Sequence, residues 1–437
     1  MGTKEGCAEG DCGACTVVVA EPDENGKLRY HAVDSCLMFL PMLHGRQLIT
    51  VEDLESREQL HPVQQAMVEC NGTQCGYCTP GFVMSLFACS KKAEQKEDSD
   101  ISDALAGNLC RCTGYKPILE AATRCINNQG HDQFDEKEGE TLKQLDGIDR
   151  QSSLAMTVEN QHYFRPSTLA EALQLLSQHP GLLPVSGATD VALRVTKKHE
   201  VLTDVLDLGG IGELQILNKK DNRISIGSGV PLETLRMELR TALPAMTDML
   251  DVFGSRQIRT LATLGGNLGS ASPIGDMLPV LMAYEAEVGL QSTEGFRIIP
   301  LSTFITGYRT TQRRPDELIT SIDIPLPAPD NIIRSYKVSK RKDLDISTLS
   351  GAFRIHLSGG LITKAILAFG GMAAKTERAE NAEEFMVGKS WSRSTAEEAA
   401  ELVRKRFRPL SDARSGADFR RITAGNLILK FWNDTQS

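Results

Sequence analysis

Three cysteines, Cys7, Cys12 and Cys15, sit together near the start of this chain, and Cys36 follows at a longer interval. The residues between the first three, in GCAEGDCGACT, are only Gly, Ala, Glu and Asp. The spacing C-x4-C-x2-C-x20-C is that of a thiolate loop wrapped around a [2Fe–2S] cluster. Such a loop must turn several backbone N–H groups toward sulfur. It therefore needs glycine at unusual backbone angles and little side-chain bulk, which Gly6, Ala8, Gly10, Gly13 and Ala14 supply. A zinc site or scattered core cysteines are the alternatives.

Cys75, Cys78, Cys110 and Cys112 form a second set, C-x2-C-x31-C-x-C. The first pair precedes a helical pattern and the second follows one. Two helix pairs could present four thiolates to one site, and helix N-termini favour an anionic cluster. Spacing alone leaves tetrahedral zinc as a rival. Cys70, Cys89 and Cys125 lie within helical patterns and read as small buried hydrophobes. All eleven cysteines fall between Cys7 and Cys125. An odd count, with no secretory leader, argues for metal ligation over disulfides and for a cytoplasmic protein.

The elements that must position these thiols are legible in outline. TVVVA (16–20) and LRYHAV (28–33) read as a hairpin that returns Cys36 to the first three cysteines. HPVQQAMVEC, GFVMSLFACSKK, SDALAGNL and KPILEAATRCINN read as four short helices in a compact bundle, with Pro80 and Pro117 near helix starts. The polar, acidic run that follows reads as an exposed linker over 129–158, with an ordered surface excursion as the alternative. From Tyr163 strands and helices mix. STLAEALQLLSQH is a helix with Ser167 as its N-cap candidate, VLTDVLDL and RISIGSGV are strands, and ITAGNLILKFWND is a closing helix. A chain of 437 residues calls for several domains. Its net charge of −9 argues against a nucleic-acid partner, and no apolar run suits a membrane span.

GTKEGCAEGDCGACTV, TQCGYCTPGFVMSL and GNLCRCTGY closely resemble the iron–sulfur region of the xanthine dehydrogenase/molybdenum hydroxylase family. The resemblance implies two [2Fe–2S] clusters and makes zinc remote. Cys75, Cys78, Cys110 and Cys112 would hold the one nearer molybdenum, and Cys7, Cys12, Cys15 and Cys36 the one nearer flavin. Gln74 would lie close to the pterin. Members of the family carry a β-hairpin and helix before the first cysteine, whereas MGTKEG opens this chain, so a misassigned start codon is expected, with a weakened first cluster domain as the alternative.

Two glycine-rich stretches, PVSGATDVAL (184–193) and LGGNLGSASPIGDMLP (264–279), read as loops that could approach a pyrophosphate, or equally as tight turns. Neither is a Walker A or Rossmann motif, and IGSGV (226–230) is discounted. Both stretches resemble the family's flavin domain. That likeness implies FAD held by Pro184, Val185, Ser186, Gly187, Ala188, Thr189, Asp190 and Val191, with Phe253 beside the isoalloxazine. Ala262, Gly266, Asn267 and Asp276 would add contacts, and Lys337 would lie near the ring. Tyr308 and the loop 339–346 match the region where NAD reaches the flavin; Lys340, Arg341 and Lys342 could equally be a solvated basic turn.

The expected fold is α+β and multidomain. A truncated β-grasp ferredoxin-like domain (1–55) precedes a helical [2Fe–2S] bundle (56–128), a linker (129–158), a PCMH-type FAD domain (159–328) and a C-terminal αβ flavoprotein subdomain (329–437). No length remains for molybdopterin. The resemblance therefore implies an electron-transfer subunit that serves a separate molybdopterin-binding large subunit in a heterotetramer. Electrons from hypoxanthine and xanthine would pass to NAD, and no residue of this chain would act in substrate hydroxylation. An aldehyde or N-heterocycle hydroxylase subunit and a zinc-stabilised binding module are the alternatives.

Overall fold

In the computed structural model, which describes residues 2–56, 58–91, 98–127, 131–149 and 152–436, the first valine run forms strand β1 (Thr16–Pro22). It pairs antiparallel with β2 (Leu28–Asp34) on one side and β3 (Gln47–Ile49) on the other. β-Branched residues suit this central strand because their stiff side chains pack on a pleated surface. Alternation splits them between two cores. Val18 and Ala20 join the helices, while Val17 and Val19 pack with Val33 and Leu261. This hairpin and bundle belong to a compact unit made of Met1–Ser167, Gly187–Gly210 and Gly254–Ala262.

The four expected helices of that unit are α1 (Pro62–Glu69), α2 (Thr79–Ser90), α3 (Asp98–Leu105) and α4 (Lys116–Asn127). α2 is central, and its residues from Gly81 to Cys89 are all buried. A helix apolar on every side has to sit inside its neighbours. Cys89 and Cys125 are core residues, as expected, and Cys70 packs against the same cluster.

The acidic run expected as an exposed linker is not one over its described part. Gln133–Asp146 forms α5, and Leu154–Val158 a strand paired with Gln161–Arg165. The reason is charge that finds partners. Asp132 caps α5 by accepting from the N–H groups of Phe134 and Asp135. Its carboxylate also meets Lys91 Nζ at 2.6 Å and His61 Nε2 at 2.9 Å. Because His61 Nδ1 accepts from the Val63 N–H, Nε2 carries the proton and donates. Lys91 also binds Asp135 at 2.7 Å and lies against the rings of Tyr30, Phe87 and Phe134. Glu138 accepts from the Leu28 N–H of the hairpin.

The second unit comprises Thr168–Ser186, Ile211–Phe253 and Thr263–Ser437. It contains a five-stranded antiparallel sheet in the order Gly295–Pro300, Glu287–Ser292, Leu318–Pro325, Arg223–Gly227, Leu217–Lys220. A second sheet runs as a meander through Asn331–Val338, Leu349–Ser358, Leu361–Gly370 and Glu377–Arg378. Helices Glu380–Met386, Arg393–Arg406 and Ala417–Asp434 contribute to its core, around Phe353, Phe369, Phe407 and Phe431. The helix at Leu169–Gln178 is capped by Thr168, not Ser167: Thr168 Oγ1 accepts from the Glu171 N–H. Ser167 instead bonds Ser153. Among the described residues no helix is long and apolar enough to cross a membrane.

Burial alone would raise the Asp132 carboxyl, but the bonds from His61 and Lys91 outweigh it and hold it well below the usual carboxylate range. A depressed folded-state value stabilises above the unfolded one, near pH 4, and that contribution is lost as pH falls further. Lys91→Met is expected to cost about 3 kcal/mol at neutral pH, the scale for breaking a buried pair, and to flatten the acid limb of stability. Melting temperature measured from pH 7 to 2.5 checks this; parallel wild-type and variant curves would contradict it.

Candidate functional site

The β1–β2 hairpin brings Cys36 back as its strands require: Cys15 and Cys36 Sγ atoms lie 3.3 Å apart. The Cys7 sulfur accepts from the Asp11 N–H at 3.2 Å. The loop depends on positive backbone φ at Ala8, Gly10 and Gly13, a region L side chains rarely adopt. A Cβ on Gly10 would meet Leu37 at 2.5 Å, and one on Gly6 would meet the Cys12 sulfur at 2.9 Å. Bonding to Cys36 and burial push the Cys15 thiol up, and burial raises Cys7. Asp34, fully buried beside Cys15, is likewise raised, first by burial and then by that neighbour.

In the second set Cys78 occupies the N-cap position of α2, and Cys110 and Cys112 lie in the turn between α3 and α4. Cys112 and Cys75 sulfurs are 3.6 Å apart and both residues are exposed. Burial and the neighbouring Cys110 push the Cys78 thiol up to about 12. For Cys110 burial opposes ionisation, but bonds from Thr113 outweigh it and lower the value. Among the described residues no group of three or more His, Cys, Asp or Glu side chains converges as a single-ion site. Close sulfur pairs are what a sulfide-bridged two-iron centre, in which two thiolates serve each iron, requires of its donors. Thiols crowded this way resist ionising together unless a cation compensates them, so the donors fit a cluster.

The two sets meet through bare backbone. A Cβ on Gly81 would lie 2.2 Å from the Gly13 carbonyl oxygen, and one on Gly13 would lie 2.3 Å from that of Gly107. The Leu109 N–H donates to the Cys12 carbonyl at 3.0 Å. Asn108, Ser85 and Gln257 hold this junction and were not singled out from sequence. A serine inside the apolar run FVMSLF was the available signal.

The flavin-matched residues fall in both units. In the first, Gly187 sits where a Cβ would be 1.7 Å from the Leu261 carbonyl oxygen. Ala188 adopts φ +61°, and its carbonyl accepts from the Ala192 N–H. Thr189 and Val191 are half-buried, Asp190 is exposed and Ala262 is buried. Beyond Val191, Lys197 donates to the Cys7 carbonyl at 3.0 Å.

In the second unit Val185 is buried, and Pro184, Ser186 and Phe253 are half-buried. The stretch from Leu264, expected as a loop, is a short helix to Ser270, capped by Thr263, which accepts from the Gly266 N–H. Gly265 is there for packing, since its Cβ would strike Ser228 at 2.4 Å. Gly266 stays exposed, and the buried Asn267 Oδ1 has no protein partner among the described residues; that orphan acceptor fits a ligand bearing N–H groups. Asp276 pairs with Lys337 at 3.0 Å and accepts from Ser347 at 2.6 Å, while Lys337 also donates to the Val252 carbonyl. Tyr308 is exposed, and Arg341 in the 339–346 loop binds Asp345.

Three domain families match successive parts of the chain. They are a [2Fe-2S] binding domain over residues 50–123, the FAD binding domain in molybdopterin dehydrogenase over 156–327, and the CO dehydrogenase flavoprotein C-terminal domain over 334–435. The chain is 34% identical to a xanthine dehydrogenase of Drosophila subobscura over 98% of its own length. It is 31% identical to the xanthine dehydrogenase/oxidase of Rattus norvegicus over 99% of its length. It spans 36% of each of these relatives. A reconstituted CO dehydrogenase from Oligotropha carboxidovorans aligns with TM-score 0.58 at 26% identity, covering 63% of this chain and 96% of the solved one. Quinoline 2-oxidoreductase from Pseudomonas putida 86 shares the fold, with TM-score 0.59 at 24% identity, over 64% of this chain and all of the solved one.

Removing one partner of the buried Asp276–Lys337 pair leaves a charge without compensation. Lys337→Met is expected to destabilise the chain by about 3–5 kcal/mol, and adding Asp276→Asn should recover more than 1 kcal/mol of it. Urea unfolding of the two single variants and the double variant measures the coupling; strictly additive losses would refute it.

Proposed function

Because the chain is an iron–sulfur and FAD region of the molybdenum hydroxylase family, we propose that it is the electron-transfer subunit of a xanthine dehydrogenase. Its partner is a separate molybdopterin-binding subunit that oxidises hypoxanthine and xanthine. The observation that carries the reading is the run of contacts inside the first unit. Leu109, next to Cys110, bonds the Cys12 carbonyl, and Lys197, just beyond the flavin-matched loop, bonds the Cys7 carbonyl.

Bound [2Fe–2S] clusters and FAD supply one-electron carriage and its conversion to hydride transfer to NAD. The chain's own residues hold and insulate them. Cys75, Cys78, Cys110 and Cys112 serve the cluster nearer the partner. Exposed Cys75 and Cys112, with Tyr77 and Tyr115 at 47% and 38% exposure, mark the surface on which the molybdopterin subunit docks, with Gln74 toward the pterin. Cys7, Cys12, Cys15 and Cys36 serve the more enclosed one. Pro184–Val191 takes the FAD pyrophosphate, with Ala262, Gly266, Asn267 and Asp276 as further contacts. Phe253 and Lys337 flank the ring, and Tyr308 borders the NAD entrance. The assembly is a cytoplasmic heterotetramer.

Co-purification with the molybdopterin subunit tests this. About four irons per chain are expected from two such clusters, with one FAD and NADH formation from hypoxanthine. Inert purines alongside an oxidised aldehyde or N-heterocycle would move the assignment to that hydroxylase class. A colourless chain containing zinc would end the electron-transfer reading. Gly187→Ala, whose methyl group would collide with the Leu261 carbonyl, is expected to lower bound FAD more than tenfold while iron is retained. Cofactor quantification checks that, and an unchanged FAD content would take Gly187 out of the flavin loop.

A further inference from the structure

We infer that Gln257 is a positioning residue for electron passage between the two cysteine sets: it fixes the Asn108 amide that fastens the Cys12–Cys15 loop to the Cys110 loop. The inference rests on reading the eight cysteines as two cluster sites.

At the junction of Gly13, Gly81 and Gly107 a hydrogen bond and a short backbone run separate Cys110 from Cys12. Bare glycine contacts do not hold themselves in register, and Asn108 does it for them. Its Nδ2 donates to the Gly13 carbonyl at 3.0 Å and to Thr16 Oγ1 at 3.1 Å. On the other side its Oδ1 accepts from Ser85 Oγ at 2.6 Å and from Gln257 Nε2 at 3.1 Å. Gln257 Nε2 also donates to Ser85 Oγ at 3.1 Å. All three residues are buried, at 2%, 1% and 0% exposure for Asn108, Ser85 and Gln257.

An amide can sit in either of two flips, and a serine hydroxyl serves both because it donates and accepts. The Gly13 carbonyl only accepts and so turns Asn108 Nδ2 toward it; Gln257 Nε2, donating from the other side, reinforces that orientation, while Gln257 Oε1 has no partner among the described residues. Gly107 makes room for the glutamine, since a Cβ there would meet Gln257 Oε1 at 2.3 Å.

Gln257 is itself immobilised. It lies on the helix Arg256–Leu261, where Arg256 and Arg259 both grip the Asp103 carboxylate of α3, at 2.6 Å each. The carbonyl at the end of that helix, on Leu261, is the atom against which Gly187 packs. One helix therefore sets the junction between the cysteine sets and seats the flavin-matched loop.

The test uses the complete heteromer with Gln257→Glu and Gln257→Met. Glutamate turns an acceptor toward Asn108 Oδ1 and opposes its orientation; methionine keeps the size and removes the donor, together with an Oε1 that has no partner among the described residues. Iron and FAD content are measured with low-temperature electron paramagnetic resonance of the dithionite-reduced protein and single-turnover FAD reduction. In the wild type the two iron signals should be split by their mutual interaction. With iron retained, Gln257→Glu should lose or shift that splitting and slow FAD reduction at least tenfold, and Gln257→Met should do so to a smaller degree. Should Gln257→Glu fail to keep iron, Gln257→Met decides alone. Full iron with unchanged splitting and unchanged FAD reduction in Gln257→Met overturns the inference. Absence of iron from the wild type would instead overturn the cluster reading beneath it.

Discussion

Backbone touching backbone, at Gly13, Gly81 and Gly107, is the contact on which the cysteine-bearing unit depends. A side chain at Gly13 or Gly81 would push the first thiolate loop away from the turn that carries Cys110 or from α2, and one at Gly107 would strike Gln257 and Ser255. Once the loops touch, their carbonyl and amide groups leave water, and each needs a partner. Leu109 and Asn108 provide those partners, and Ser85 and Gln257 extend the network. A buried polar network has one arrangement that satisfies it and many that do not. That is how soft loops keep a defined spacing between the two thiol sets.

Buried charge plays the same part elsewhere. Lys91 with Asp132, Asp103 with two arginines, and Asp276 with Lys337 each join segments remote in sequence. Their net contribution to stability is modest, because desolvation offsets the attraction. Their value is selective: a segment placed without its partner would leave an ion stranded in a low-dielectric interior. The acidic α5 is held to the helical bundle this way. The short helix carrying Gln257 is held to α3 likewise, although family matching assigns it to the FAD domain.

What could be read beforehand follows from how local each signal is. The first cysteine loop declares itself because spacing, glycine and missing bulk coincide within one turn-rich segment, and the β-branched strand after it turns back to deliver Cys36. The central helix is legible because it is apolar on every side. The acidic stretch after α4 resembled a linker because its composition shows charge but not the lysine that neutralises it. The glycines at 265 and 266 resembled a loop for a related reason: glycine marks both a bend and a close approach, and at Gly265 only the position of Ser228 tells them apart. Thr168 displaced Ser167 as a cap because two adjacent hydroxyls both qualify, and backbone geometry chooses between them.

The sequence by itself determined the candidate donors: eight thiols in two spacings, the strands and helices that carry them, and the family whose iron–sulfur and flavin domains they resemble. Those properties are set by neighbours along the chain. Only the tertiary structure decided that the two thiol sets meet through three glycines, that Gln257 and Asn108 hold them, and that Asp276 faces Lys337. These partners lie up to 149 residues apart, and pairing at such separations is chosen by burial and unsatisfied hydrogen bonds, which no local pattern encodes.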